Sequence, residues 1–106
     1  MDKIERELQS ALAAQVEGNP GKARVCARRA AGLAIRAYYR RRDGTGWGGD
    51  AMAQLKRLQA DVSVPEHVRN AAARLTTTVD FEHNLPFAEE PVEDARRIIG
   101  FVSGAT

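Results

Sequence analysis

Gly18-Asn19-Pro20 limits what this chain can fold into more tightly than any other three residues. Before it, Ile4, Leu8, Ala11, Leu12 and Val16 recur at steps of four, three and one, the spacing of one helical face. Glycine suits the left-handed residue that closes a helix. Asparagine is a good N-cap, and proline fits the first helical position while pushing its predecessor out of the α region. A helix over about 2–17 and another starting at 20 are thus joined by about two residues, which forces an antiparallel helical hairpin.

The second helix, expected over 20–42, carries eight of the sixteen basic residues and no acid. Ala23, Ala27, Ala30, Ala34 and Ala37 lie on one face of it, so a neighbouring helix can approach closely and this element becomes the centre of a bundle. Cys26 and Tyr38 join that stripe. A second apolar sector holds Val25, Gly32, Ile35 and Tyr39. A helix with two apolar sides is wrapped by its own bundle or shared with a partner. With about five helices available, the expectation is that this second sector forms a homodimer interface. Lys22, Arg29, Arg36 and Arg40 project between the two sectors as a basic stripe.

Three further helices follow. Asp50 is the expected N-cap of a helix over 51–62, with Met52, Leu55 and Leu58 inward. Ser63-Val64-Pro65-Glu66 has the spacing of a capping box and opens a helix running to about 78, burying Val68, Ala71, Ala72 and Leu75. Residues 79–90 read as an ordered loop pinned by Phe81, Leu85 and Phe87. The last helix covers 91–104, with Val92, Ala95, Ile98, Ile99 and Val102 buried, and acids early with arginines later, as its dipole favours. No segment alternates at period two. The fold class is therefore all-α, an up-and-down bundle of four to five helices, and 106 residues suffice for one domain spanning 1–106.

Composition excludes several classes. No apolar run approaches the length of a membrane span, and the polar start Met1-Asp-Lys-Ile-Glu-Arg-Glu lacks the apolar stretch of a signal peptide. A single cysteine cannot form an internal disulfide, so the expected compartment is the cytoplasm. Cys26, His67 and His83 are too dispersed for a metal site, and Cys26 on the small-residue stripe reads as a buried small hydrophobe rather than a nucleophile. Gly18-Asn-Pro-Gly21-Lys22 is not a phosphate-binding loop of the Walker type, since the glycine spacing is short and Ala23 stands where a Mg²⁺-binding hydroxyl is required. The Gly44–Gly49 cluster lacks the preceding strand of a dinucleotide fingerprint, and Trp47 within it reads as an apolar anchor. No cofactor is implied. Tyr38-Tyr39 beside Arg40-Arg41-Arg42 is the densest aromatic-plus-basic cluster.

The Gly18-Asn-Pro-Gly-Lys-Ala-Arg turn, the alanine-rich helix running into Tyr38-Tyr39, Ala73-Arg-Leu75, and Leu85-Pro86 before a short final helix resemble the small HEPN (higher eukaryotes and prokaryotes nucleotide-binding) all-α domains. The resemblance covers most of the chain. It implies a helical bundle, homodimers, and RNA- or nucleotide-related roles, beside a nucleotidyltransferase or in toxin–antitoxin pairs. Ribonuclease members of that family carry an arginine, four to six residues, then a histidine. Here threonines occupy 76–78 before His83, and Ala60, Asp61 and Val62 precede His67. No catalytic residue carries over, and the resemblance implies a non-catalytic member.

Two functions follow from the charge. Residues 20–42 carry a formal +8 within a chain of net +2. In the first reading Lys22, Arg29, Arg36 and Arg40 meet the phosphates of a nucleic acid or nucleotide. In the second the chain is a protein-interaction or dimerisation module, its arginines pairing with acids of a partner, of a second subunit, or of its own first and last helices.

Overall fold

Gly18 takes φ +75°, and the backbone around it closes the first helix in a Schellman arrangement. Its N–H donates to the Gln15 carbonyl at 3.2 Å, and the Asn19 N–H donates to the Ala14 carbonyl at 2.8 Å. Asn19 then serves the next helix: its side-chain oxygen accepts the Lys22 N–H at 3.1 Å, and Pro20 occupies the first helical position. The computed structural model describes residues 2–44, 48–77 and 90–104, which form α1 (Lys3–Val16), α2 (Pro20–Asp43), α3 (Ala51–Ala60), α4 (Glu66–Thr76) and α5 (Pro91–Gly104). Among the described residues there is no strand, and no helix is long and apolar enough to cross a membrane.

α2 is the central element, packed against α1, α3 and α5, while α4 bridges α3 and α5. Ala23, Ala27, Ala30 and Ala34 are all buried along it. α3 begins beside the middle of α2, where Arg36 donates to the Gly49 carbonyl at 2.9 Å, and ends near Tyr39, whose hydroxyl donates to Asp61 at 2.6 Å. α4 returns towards the start of α2. α5 then runs beside α2 in the same sense, anchored to α4 by the Arg74–Asp94 ion pair at 2.7 Å. Leu55, Leu58, Val68, Leu75, Ile98 and Ile35 fill the space between the layers.

The ends of α4 and α5 explain three of the basic residues on α2. A helix leaves its last carbonyls unpaired and carries partial negative charge there. Arg24, 4% exposed, donates to the carbonyls of Arg74 and Thr77, and Arg28 donates to the Leu75 carbonyl at 2.6 Å. Arg41 does the same for α5, reaching the Val102 carbonyl at 2.8 Å. Among the described residues, the partners seen for these arginines are backbone carbonyls at two C-termini.

Several sequence expectations are corrected. The second apolar sector of α2 is not left over for another copy of the chain: Gly32, Ile35 and Tyr39 are buried by α3 and its surroundings, and only Val25 remains exposed. Val16, expected inward, is 87% exposed because the chain turns away directly after it. α3 stops at Ala60 rather than 62, since Asp61 leaves the helix to accept from Tyr39. The capping box does not form. Pro65 is the N-cap of α4 without a side-chain bond, and the Ser63 hydroxyl instead donates to Asp61 at 2.6 Å. The loop expected over 79–90, apart from Glu90, with Phe81, Leu85 and Phe87, and the anchor Trp47, lie outside the described residues.

Gly32 sits where α2 meets the first residue of α3 at close range. A Cβ built there would lie 2.8 Å from the Ala51 Cα and 2.9 Å from its Cβ, so one helix would have to shift. Gly32→Ala should therefore destabilise the fold by about 1–2 kcal/mol in urea unfolding, overpacking exceeding the gain in helix propensity. A variant as stable as the parent would show that α3 moves freely against α2.

Candidate nucleic-acid interface

The eight basic residues of α2 divide by surroundings. Arg24, Arg28 and Arg41 hold helix ends, and Arg42 donates to the Tyr38 hydroxyl with its guanidinium also 5.5 Å from that ring. The remaining four are the stripe expected from the sequence. Lys22, Arg29 and Arg40 are exposed and their side chains make no ion pair among the described residues, while Arg36 is half-buried and bonded to the Gly49 carbonyl. From Lys22 to Arg40 the stripe covers eighteen residue steps, roughly 27 Å at helical rise.

A groove of about 470 Å³ opens midway along this stripe, where α1, α2 and the start of α3 meet. Arg29 and Arg36 line it from α2, and Lys3 and Arg6 line it from α1. Among the described residues its acids are Glu7 and Asp50, and the Asp50 carboxylate already accepts the Ala53 N–H at 3.0 Å as the cap of α3. Gly32, Leu33 and Ala51 supply apolar lining. Among the described lining residues, four cations against two acids leave the groove positive, over a largely apolar floor. The sequence stripe thus contributes two residues to this groove and leaves Lys22 and Arg40 on the flanking helix surface. Lys3 and Arg6 are functional candidates that the stripe does not contain. Their signal lies in the hairpin: an antiparallel α1 brings its first turns opposite the middle of α2.

The tyrosine–arginine cluster has another role. Tyr38 and Tyr39 are both buried, their rings 5.0 Å apart edge to face. The Arg57 guanidinium lies 3.8 Å over the Tyr39 ring and pairs with Asp43 at 3.2 Å, which ties α3 to the end of α2. No base can stack on either tyrosine without opening the core. Cys26 is buried, His67 is exposed on α4, and His83 lies outside the described residues.

Asp61 is the hub of that network. Its partial burial opposes the charged form, but the Ser63 hydroxyl, the Tyr39 hydroxyl, the Ser63 N–H and the nearby Arg42 together hold its carboxyl below the ordinary 3.8. Tyr39 moves the other way: burial, then its bond to Asp61, push the phenol well above its ordinary 10.0. A carboxylate with a lowered native pKa adds stability above its unfolded value and loses it as pH falls through the native one. Asp61→Asn should cost about 1 kcal/mol at neutral pH, the scale of one ordinary hydrogen bond, since the amide can keep part of the network. The difference should narrow as the pH falls below the ordinary carboxylate value and close once it has passed through the lower native one. Urea midpoints measured across that range check this, and a gap independent of pH would assign the loss to packing.

Compared with protein-family models, curated proteins and solved structures, the chain matches none.

Proposed function

We propose that this chain is a non-catalytic module that binds nucleic acid or nucleotide on the basic face of α2, and that it is a HEPN-like domain without the family's ribonuclease pair. The observation that carries the reading is the division of the α2 cations. Those that the fold needs are bonded to helix ends or tyrosine, whereas Lys22, Arg29 and Arg40 face solvent on one side, with a positive groove between them. Exposed cations lined up over roughly 27 Å suit a polyanion, whose phosphates repeat along its length. An apolar floor beside them suits a ligand with a flat, uncharged portion.

The Arg29→Ala/Arg36→Ala double variant tests this. Its affinity for nucleic acid should fall with little dependence on sequence. On single strands the slope of log affinity against log salt should flatten by about 0.7 for each phosphate that is no longer neutralised. Far-ultraviolet circular dichroism should match the parent, since Arg29 makes no internal side-chain bond among the described residues and Arg36 bonds one carbonyl. A folded parent that binds no RNA, DNA or nucleotide at low salt, yet captures an acidic polypeptide such as a nucleotidyltransferase-type partner, would assign the surface to protein interaction instead.

A further inference from the structure

The groove interrupts the stripe rather than ending it, and this bears on the form of nucleic acid that fits. Lys22 lies seven residues before Arg29, and Arg40 lies four residues after Arg36, so exposed cations flank the groove on both sides along α2. A strand following α2 would pass phosphates over Lys22 and Arg40 and cross the groove in between. At about 470 Å³ the groove is within the size range of small-molecule pockets, roughly 300–1,000 Å³. It has walls of guanidinium groups, Arg29 and Arg36 on one side and Arg6 on the other, over Gly32, Leu33 and Ala51. Guanidinium planes stack on bases, and an apolar floor accepts a base's face without choosing among its edges.

We infer that the ligand is a single strand and that one of its bases leaves the stack to enter this groove, with Lys3 and Arg6 of α1 closing over it from the side opposite α2. This inference rests on the nucleic-acid reading of the α2 stripe and deepens it. A duplex presents phosphates to Lys22 and Arg40 equally well, but its bases are paired and stacked, and extruding one costs energy that an already single strand is spared. Residues of α1 thereby become part of the binding surface although the sequence stripe lies wholly on α2. Little sequence preference is expected. Among the described lining residues the one neutral amide, Gln54, is 2% exposed, and its N–H donates to the Gly48 carbonyl at 3.5 Å.

The test uses the full chain, fluorescence anisotropy and three probes at one low salt concentration. The probes are a twelve-nucleotide single-stranded RNA, its blunt duplex, and a strand of the same length that is abasic throughout. The RNA strand should bind about tenfold more tightly than the duplex, the scale of one stacked base. The abasic strand should bind no better than the duplex. Lys3→Ala/Arg6→Ala should remove most of the RNA strand's advantage while leaving duplex affinity within about twofold, because the phosphates still meet Lys22 and Arg40. Lys22→Ala/Arg40→Ala should weaken both forms alike. Equal affinity for strand and duplex, an abasic strand that binds like the RNA, or a Lys3→Ala/Arg6→Ala variant that binds the strand like the parent would each overturn the groove inference, leaving the α2 stripe as a phosphate-binding surface. Failure of all three probes to bind the folded parent would remove the broader reading and this one with it.

Discussion

Three helices reach α2 because it offers them so little side chain. Over most of its length the faces it turns to them are alanines and one glycine, and at Gly32 the neighbouring backbone comes within a distance that no Cβ would allow. Close approach substitutes for bulk here. The large apolar residues that fill the remaining space come from the other helices: Leu55 and Leu58 from α3, Leu75 from α4, Ile98 from α5. Ile35, Tyr38 and Tyr39 are the exceptions on α2 itself. A slender central helix also leaves its long side chains free to project between its neighbours, which is where the arginines go.

Those arginines solve a problem that every bundle of short helices meets. α4 ends at a threonine pair whose hydroxyls turn back to the Ala73 carbonyl, and α5 has no basic residue in its own last turn. Both helix ends would leave carbonyls without strong donors. α2 supplies guanidinium groups across the bundle, two to α4 and one to α5, and each makes charge-assisted bonds to carbonyl oxygens. The positive character of α2 is thus partly structural and partly outward-facing, and the two sets alternate along the same helix. Position on the helix, rather than charge, decides which arginine holds the fold and which meets solvent.

The hairpin turn, the order of the five helices and nearly all inward-facing positions of α3, α4 and α5 can be read from periodicity and cap residues, because those depend on neighbours within a turn or two. Tertiary pairings cannot. Gly32, Ile35 and Tyr39 look like a spare apolar surface on a helical projection, since nothing local shows that α3 begins beside the middle of α2. Ser63 has the spacing of a cap, but Asp61 lies two residues back and offers its hydroxyl a charged acceptor, which wins. The arginines mislead for a related reason. A search for opposite charge finds acidic side chains, whereas Arg24, Arg28 and Arg41 also bond backbone carbonyls, which every sequence contains and none advertises. The basic stripe is legible because solvent exposure follows from helical angle; the groove is not, because Lys3 and Arg6 join it only through the hairpin.

Asn19 is shared by two helices, ending one with its backbone and starting the other with its side chain. The bonds that Arg24 makes to α4, by contrast, join residues 50 and 53 positions apart, and that of Arg41 to α5 joins residues 61 apart. Closing the short loop costs far less chain entropy than closing the long ones, so the α1–α2 hairpin is available early in folding and the arginine clamps only late. Until α4 and α5 arrive, all eight cations of α2 stand in water. The half-assembled chain is therefore strongly positive along the helix whose apolar faces are not yet covered, and mutual repulsion keeps two such chains apart during the interval when they would most readily aggregate.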